Sequence, residues 1–240
     1  MTKKLLITLS IFALFANSTK ASDNNSATHD EGVVINGIRW ATRNVDMPGT
    51  FVETPECSGM LFQWNRPYGW RSAPHYTDES FLWGYYPDGS SLWKYSPTQR
   101  WNPTIGGWEN ANWDTSIPTG TKWYAKNDPC PPGWRVPTFE ELEILDFEYI
   151  ESEWTAKNGV NGRLFGTAPN QLFLPAAGWR NDRDGSLNRV GVNGDYWSST
   201  QYDAEDAEDE DAMALRFNSD DALVRFDWRR LGLSVRCVSK

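Results

Sequence analysis

Few residues of this chain have the types and spacing that catalysis requires. Its 240 residues include only two histidines, His29 and His75. The sequence contains no His-Glu-x-x-His, Gly-x-Ser-x-Gly, Gly-rich phosphate-loop or Cys-x-x-Cys motif. A glycosidase needs two carboxylates at a defined separation, and the 32 acidic residues single out no pair. The sequence therefore favours a non-catalytic protein, and a glycan-acting hydrolase is an alternative.

An acidic run at 203–211 carries seven carboxylates in nine residues. Oxygen-rich loops of this kind can bind calcium. The run lacks the glycine and the terminal glutamate that an EF-hand loop requires. We therefore expect a solvated, self-repelling loop, with calcium binding as the alternative and no other cofactor. Arg229 and Arg230 are expected to pair with this run, or else with an acidic partner.

A second cluster combines one aromatic residue with charged groups. Trp179, Arg180, Asp182 and Asp184 lie within six residues, in a turn between predicted strands. Sugar hydroxyls need paired donors and acceptors beside a flat apolar face, which this combination provides. The turn is thus a candidate glycan site, although it also fits a hairpin tip with ordinary surface ion pairs.

Residues 65–121 are unusually rich in aromatic side chains. They include six of the 14 tryptophans of the chain, and neither helical nor strand periodicity persists there. Long irregular insertions are usually functional. We therefore predict that exposed rings of this insertion, Trp83 and Trp93 in particular, bind ligand. In the competing interpretation, the insertion folds back and buries its rings.

The N-terminus predicts export. Lys3 and Lys4 precede an apolar stretch at 5–16, and Thr19 and Ala21 are small residues in the positions of a cleavage site. This signal peptide, residues 1–21, is too short to span a bilayer, and no second long apolar run follows. We expect an extracellular, cell-surface or periplasmic protein without a membrane span in the mature chain. A net charge of −9 argues against nucleic acid as a partner.

Export also predicts that two of the three cysteines form a disulfide. The three cysteines are Cys57, Cys130 and Cys237, and the sequence by itself permits any of the three pairings.

The predicted elements are mostly short strands. Asn36-Gly37 predicts a type I′ turn in a hairpin over 33–41. Thr138 and Glu141 form a capping box that starts a helix over 138–147, and a second helical turn is expected over 150–157. Strands are predicted at 60–64, 163–165, 171–174, 196–199, 212–217, 222–228 and 233–238.

Five phrases occur in a fixed order: VINGIRWATRNV (34–45), CPPGWRVPT (130–138), LFLPAAGWR (172–180), GDYWSST (194–200) and LSVRCV (233–238). Together they resemble the Fibrobacter succinogenes major paralogous domain family of secreted bacterial domains, over roughly residues 33–239. The resemblance implies an α+β, C-type-lectin-like fold: a twisted, mostly antiparallel sheet with one principal helix and a long aromatic-rich loop insertion. It further implies a Cys130–Cys237 disulfide and structural roles for Trp134 and Trp197.

The sequence therefore predicts a flexible leader at 22–32 and a single domain at 33–240, with the insertion at about 65–121. The expected function is a secreted or surface-exposed binding module for glycans or a cell-surface protein. A structural or adhesin-tip component that uses the aromatic insertion as an assembly interface is a further alternative.

Overall fold

The computed structural model describes residues 26–72, 99–203 and 210–240, and these residues form a mostly β protein. Its strands pair antiparallel in four sheets. The first sheet has the order β1 (Val33–Ile35), β2 (Ile38–Asn44), β17 (Arg236–Ser239), β7 (Trp134–Arg135). The second has the order β10 (Leu172–Pro175), β9 (Val160–Phe165), β8 (Ser152–Lys157).

The third sheet is the largest and the fourth is a three-stranded meander. The third has the order β12 (Leu187–Asn188), β11 (Trp179–Arg180), β16 (Gly232–Leu233), β3 (Met60–Gln63), β4 (Gly69–Arg71), β5 (Gln99–Asn102), β6 (Gly107–Asn110). The fourth has the order β13 (Gly194–Gln201), β14 (Asp211–Phe217), β15 (Ala222–Trp228).

Helical structure is minor in the described residues. It consists of a five-residue helix, α1 (Phe139–Glu143), and one 3-10 turn at Ala125–Asn127. The predicted α+β, C-type-lectin-like class with one principal helix is therefore wrong, because strands build the described fold. The predicted capping box is confirmed at Thr138 and Glu141. The helix ends early because the chain then turns toward β15, where Phe147 N–H donates to the carbonyl of Ala222 at 2.9 Å.

The second helical turn, expected over 150–157, is also wrong. That segment is β8, and it forms a hairpin with β9 through Asn158 and Gly159, whose φ values are +49° and +80°. Asn-Gly is a favoured pair for a two-residue hairpin turn as well as for a helix end, so the dipeptide alone could not distinguish the two. The hairpin predicted around Asn36-Gly37 is confirmed as β1 and β2.

Two of the sequence-defined segments, the leader and the insertion, are described in part. Residues 26–32, assigned to a flexible leader, dock on β2, because the carboxylate of Asp30 accepts hydrogen bonds from the main chain and hydroxyl of Thr42 and from Arg43. The described parts of the 65–121 insertion supply β4, β5 and β6. The predicted signal peptide, residues 1–21, lies outside the described residues.

Two hydrophobic clusters form the core. One surrounds Trp64 and Trp197, and the other surrounds Phe165, Tyr196 and Phe217. Strand β13 serves both, because successive side chains of a strand point to opposite faces. Trp134 and Trp197 are buried, as the family phrases implied.

The first and last sequence phrases meet in the first sheet, where β17 pairs with β2 on one side and β7 on the other. The Cys130–Cys237 disulfide is present and links residues 107 apart in sequence, and Cys57 is a free thiol. Within the described residues, no helix is long and apolar enough to cross a membrane.

Candidate ligand-binding surface

The turn that begins at Trp179 is held together mainly by internal contacts. Arg180 is 2% exposed. Its guanidinium donates to the carbonyl of Arg71 at 2.6 and 2.8 Å and to the carbonyl of Gly185 at 2.5 Å. These bonds fasten β11 to the end of β4. Arg180 therefore positions the sheet and offers little guanidinium surface to a ligand.

Two predicted acids of the same turn have different surroundings. Asp182 is buried, and its main-chain carbonyl accepts the indole N–H of Trp113 at 3.1 Å. Asp184 is exposed and accepts the N–H of Ser186 at 2.9 Å, and this hydrogen bond lowers the pKa of the Asp184 carboxyl. Of these two carboxylates, Asp184 alone faces solvent.

Trp83 and Trp93, the other predicted ligand-binding residues, lie outside the described residues. Other tryptophans of the same insertion are described. Trp70 and Trp113 are buried against each other, with ring centroids 4.8 Å apart. Trp108 is 36% exposed, and the guanidinium of Arg71 lies 4.2 Å from its ring centroid. The described part of the insertion thus buries some of its rings, as the packing interpretation expects.

Trp179 is half-buried beside a charged cluster that the sequence did not reveal. The guanidinium of Arg216 lies 4.9 Å from the Trp179 ring centroid. Arg216 is opposite Asp195 in the β13–β14 ladder and donates to its carboxylate. It also reaches Asp227 on β15 at 3.0 Å. The side chain of Arg216 therefore connects all three strands of the fourth sheet.

Burial dominates the electrostatics of this cluster. Asp195 is fully buried, and burial raises its pKa to about 6 even though the guanidinium of Arg216 acts in the opposite direction. Burial also raises the pKa of Asp227. Because Asp195 has no exposed surface, the cluster orders the sheet and does not present this acid to a substrate.

The most exposed aromatic surface of the fourth sheet lies on its other face. We call Tyr202, Phe226 and Trp228 the aromatic strip. Phe226 and Trp228 are 48% and 47% exposed, and Tyr202 stacks on Phe226 with centroids 4.6 Å apart. Phe226 and Trp228 are two residues apart on β15, so they point to the same face at about 7 Å spacing.

The strip is exposed because its strand is covered along only part of its length. The first part of β15 is held by the segment after α1: Phe147 N–H donates to the Ala222 carbonyl, and Val224 N–H donates to the Asp146 carboxylate at 3.0 Å. Val224 packs against the second core cluster. Beyond Val224, Phe226 faces solvent.

Charged groups lie next to one end of the strip. Asp203 is exposed and directly follows Tyr202. Arg230 pairs with Glu210 at 2.8 Å, and Arg229 donates to the main-chain carbonyl of Asp211 at 2.9 Å. The predicted pairing with the acidic run is therefore confirmed for Arg230, and Arg229 contacts the main chain of the same described end.

The described residues contain no group of three or more potential metal ligands. Most of the acidic run, residues 204–209, lies outside them. The solvated loop expected there, and its calcium-binding alternative, are therefore untested.

Sequence reasoning missed the strip, because it depends on how much of β15 other elements cover. The alternation of side chains along Ala222–Trp228 is typical of a strand with one face toward the core and one toward water. In the structure the strand is exposed at four of its seven positions, and Phe226 and Trp228 are two of them.

Comparison with known families gives a partial match. The family described as Domain of unknown function (DUF8237) matches residues 143–238. The matched region includes the Arg216 cluster and the aromatic strip. Neither a curated protein nor a solved structure matches the chain.

Proposed function

We propose that this protein is an exported, non-catalytic binding module that holds a glycan on the aromatic strip. The half-exposed rings of Phe226 and Trp228, side by side on one strand, carry the proposal. Large apolar groups that remain exposed together commonly mark binding sites. A sugar ring placed on an aromatic face removes poorly hydrated surface on both partners and directs its C–H groups at the electron-rich ring.

The groups around the strip supply the polar half of such a site. Asp203 and Glu210 are acceptors, and Arg230 is a donor. Sugar hydroxyls need both kinds of partner. The resemblance to secreted bacterial domains and the signal-peptide pattern at 1–21 support export. Trp83, Trp93 and Trp179 with Asp184 stay predicted as additional ligand contacts.

A glycan array and pull-down on insoluble polysaccharides, with the purified protein, test this function. The Phe226→Ala/Trp228→Ala variant should lose at least about tenfold in affinity, because aromatic contacts of this kind contribute about 1 kcal/mol or more each. Tyr149→Ala is a matched control, since Tyr149 is 59% exposed and lines a surface pocket with Val34 and Pro169 that includes no residue of the strip. Thermal unfolding would check that each variant stays folded.

Two results would contradict the proposal. One is a wild-type protein that captures no glycan on the array. The other is a double variant that binds glycan as tightly as the wild-type protein does.

A further inference from the structure

The face of the fourth sheet that carries the aromatic strip has a one-sided distribution of charge. Residues paired directly across an antiparallel ladder share a face, so Asp211 lies beside Trp228 on the face of the strip. The two basic residues of β14 and β15, Arg216 and Arg225, occupy the alternate positions and therefore lie on the opposite face. On the strip face, these two strands thus combine aromatic rings with a carboxylate.

The two arginines that follow β15 are both engaged within the chain. Arg230 pairs with Glu210 at 2.8 Å and lies 3.9 Å from the carboxylate of Asp182. Arg229 is 3% exposed, and its guanidinium lies 4.4 Å from the ring centroid of Trp64. The positive charges near the strip are therefore already held by groups of the protein itself.

An exposed carboxylate lies next to the strip. Asp203 directly follows Tyr202, whose ring stacks on Phe226 with centroids 4.6 Å apart. The N–H of Tyr202 donates to the carbonyl of Asp211 at 3.1 Å, which holds the main chain before Asp203 against β14. The net charge of the whole chain is −9. A ligand that approaches the strip is therefore attracted if it is positively charged and repelled if it is negatively charged.

We propose that the glycan of the strip is cationic, a chain of amino sugars whose free amines carry positive charge. This inference rests on the proposed function and names the class of glycan. An aromatic ring has a negative face, which attracts a cation within about 6 Å of the ring centroid. Because Phe226 and Trp228 are about 7 Å apart along β15, a sugar on one ring can direct its ammonium group toward the other. Asp203 adds a carboxylate beside the rings.

The same charges disfavour glycans that bear carboxylate or sulfate groups. Such a ligand would bring its negative charge toward Asp203 and Asp211. Repulsion of an unwanted ligand is a common source of specificity. A neutral glycan would stack on the rings and would gain no charge attraction. The amine should therefore decide which glycan binds most tightly.

Two matched oligomers test this inference, a β-linked hexamer of glucosamine and its fully N-acetylated form. They share ring, linkage and length, and they differ in charge. Titration calorimetry in a mildly acidic buffer of low ionic strength should give roughly tenfold tighter binding of the glucosamine hexamer, because one cation–π contact and one exposed ion pair together contribute about this factor. Added salt should reduce this preference and leave the binding of the acetylated hexamer unchanged.

Variants locate the preference. Asp203→Asn should reduce it by about threefold and leave the affinity for the acetylated hexamer unchanged. Asp220→Asn is the matched control, because Asp220 is exposed in the turn at the opposite end of β15. The Phe226→Ala/Trp228→Ala variant keeps every charge of the protein. It should therefore lose the glucosamine hexamer if the strip binds it, and should retain it if net charge alone attracts a polycation.

Three results would overturn the inference. Equal or tighter binding of the acetylated hexamer would refute the cationic class and leave the proposed function standing. Binding of the glucosamine hexamer that survives in the Phe226→Ala/Trp228→Ala variant would place the cation away from the strip. If neither hexamer bound, the inference would fail, and the glycan array would show whether the proposed function fails with it.

Discussion

Arg216 shows how one side chain can organise a sheet in this protein. It pairs with Asp195 and Asp227 and lies over the ring of Trp179. Buried charges are costly unless they are paired, and a buried ion pair often contributes little net stability. The cluster is therefore better understood as fixing the arrangement of β13, β14 and β15 than as a source of large stabilisation.

Asp195 gives this cluster a testable pH dependence. Its pKa in the folded protein is raised to about 6 from 3.8, so the native state binds a proton more readily than the unfolded chain does. Its contribution to the free energy of unfolding should therefore increase as the pH falls from 7 to 4, by up to about 3 kcal/mol.

Asp195→Asn cannot titrate and should lack this contribution. Urea unfolding at several pH values would compare it with the wild-type protein, and Asp220→Asn, an exposed substitution, serves as control. We expect the stability of the wild-type protein relative to Asp195→Asn to rise as the pH falls through 6. If the difference in stability between the two proteins did not change with pH, the pKa of Asp195 in the folded protein would be close to its ordinary value.

At the residue scale, the sequence predicted some burial correctly and missed other cases. Trp134 and Trp197 were expected to be structural because the family resemblance implied it. Arg180 and Asp182 were expected to contact a glycan from a turn between strands, and both are buried. The partner of Arg180 is a main-chain carbonyl of Arg71, 109 residues earlier in the chain. No local pattern reveals a contact of that kind.

Among the elements, α1 depends on its capping box. The hydroxyl of Thr138 accepts the N–H of Glu141 at 3.3 Å, and the carboxylate of Glu141 accepts the N–H of Thr138 at 2.9 Å. Arg135 holds the same carboxylate through two contacts of 2.6 Å. Although burial acts the other way, these hydrogen bonds keep the pKa of Glu141 below its ordinary value.

Removing the cap should therefore destabilise the protein. Thr138→Ala is expected to lower the free energy of unfolding by about 1 kcal/mol, because it leaves a helix N–H without its acceptor. Thr138→Ser keeps the hydroxyl and should stay within about 0.5 kcal/mol of wild type. Urea unfolding measures both. Equal stability of the alanine and serine variants would mean that water replaces the hydroxyl at no cost.

Elements were predictable where local chemistry was specific. The Asn36-Gly37 hairpin, the capping box and strand Ala222–Trp228 follow from turn residues, cap residues and alternation. The length of the helix was not predictable in this way, because hydrogen bonds between residues 146–147 and β15 end the helix. The aromatic strip was missed for the same reason, because the sequence of a strand does not show how much of that strand other elements cover.

For the whole molecule, the four sheets depend on contacts between distant parts of the chain. Strand β17 brings the C-terminal end of the chain between β2 and β7, and β16 joins β11 to β3. Contacts of such long sequence separation are entropically costly to form. A covalent link between two such distant segments restricts the conformations of the unfolded chain. It should therefore have a large effect on the free energy of unfolding.

The Cys130–Cys237 disulfide is that link. It closes a loop of 107 residues and joins the segment before β7 to the buried centre of β17. In the chain-entropy account, losing such a bond costs about 2–5 kcal/mol, because the unfolded state regains the conformations that the loop had excluded. The Cys130→Ala/Cys237→Ala variant should lose this amount in urea unfolding, together with a smaller packing loss at position 237.

The Cys57→Ala variant separates the effect of losing the disulfide from the effect of losing a cysteine side chain. Cys57 is a free, half-buried thiol, so Cys57→Ala should change the free energy of unfolding by only about 1 kcal/mol or less. Thiol reductant should destabilise the wild-type protein and Cys57→Ala alike, and should have no effect on the double variant. If reductant left the wild-type stability unchanged, the constraint on the unfolded chain would be negligible, and the contacts of β17 with β2 and β7 would hold the two ends of the fold by themselves.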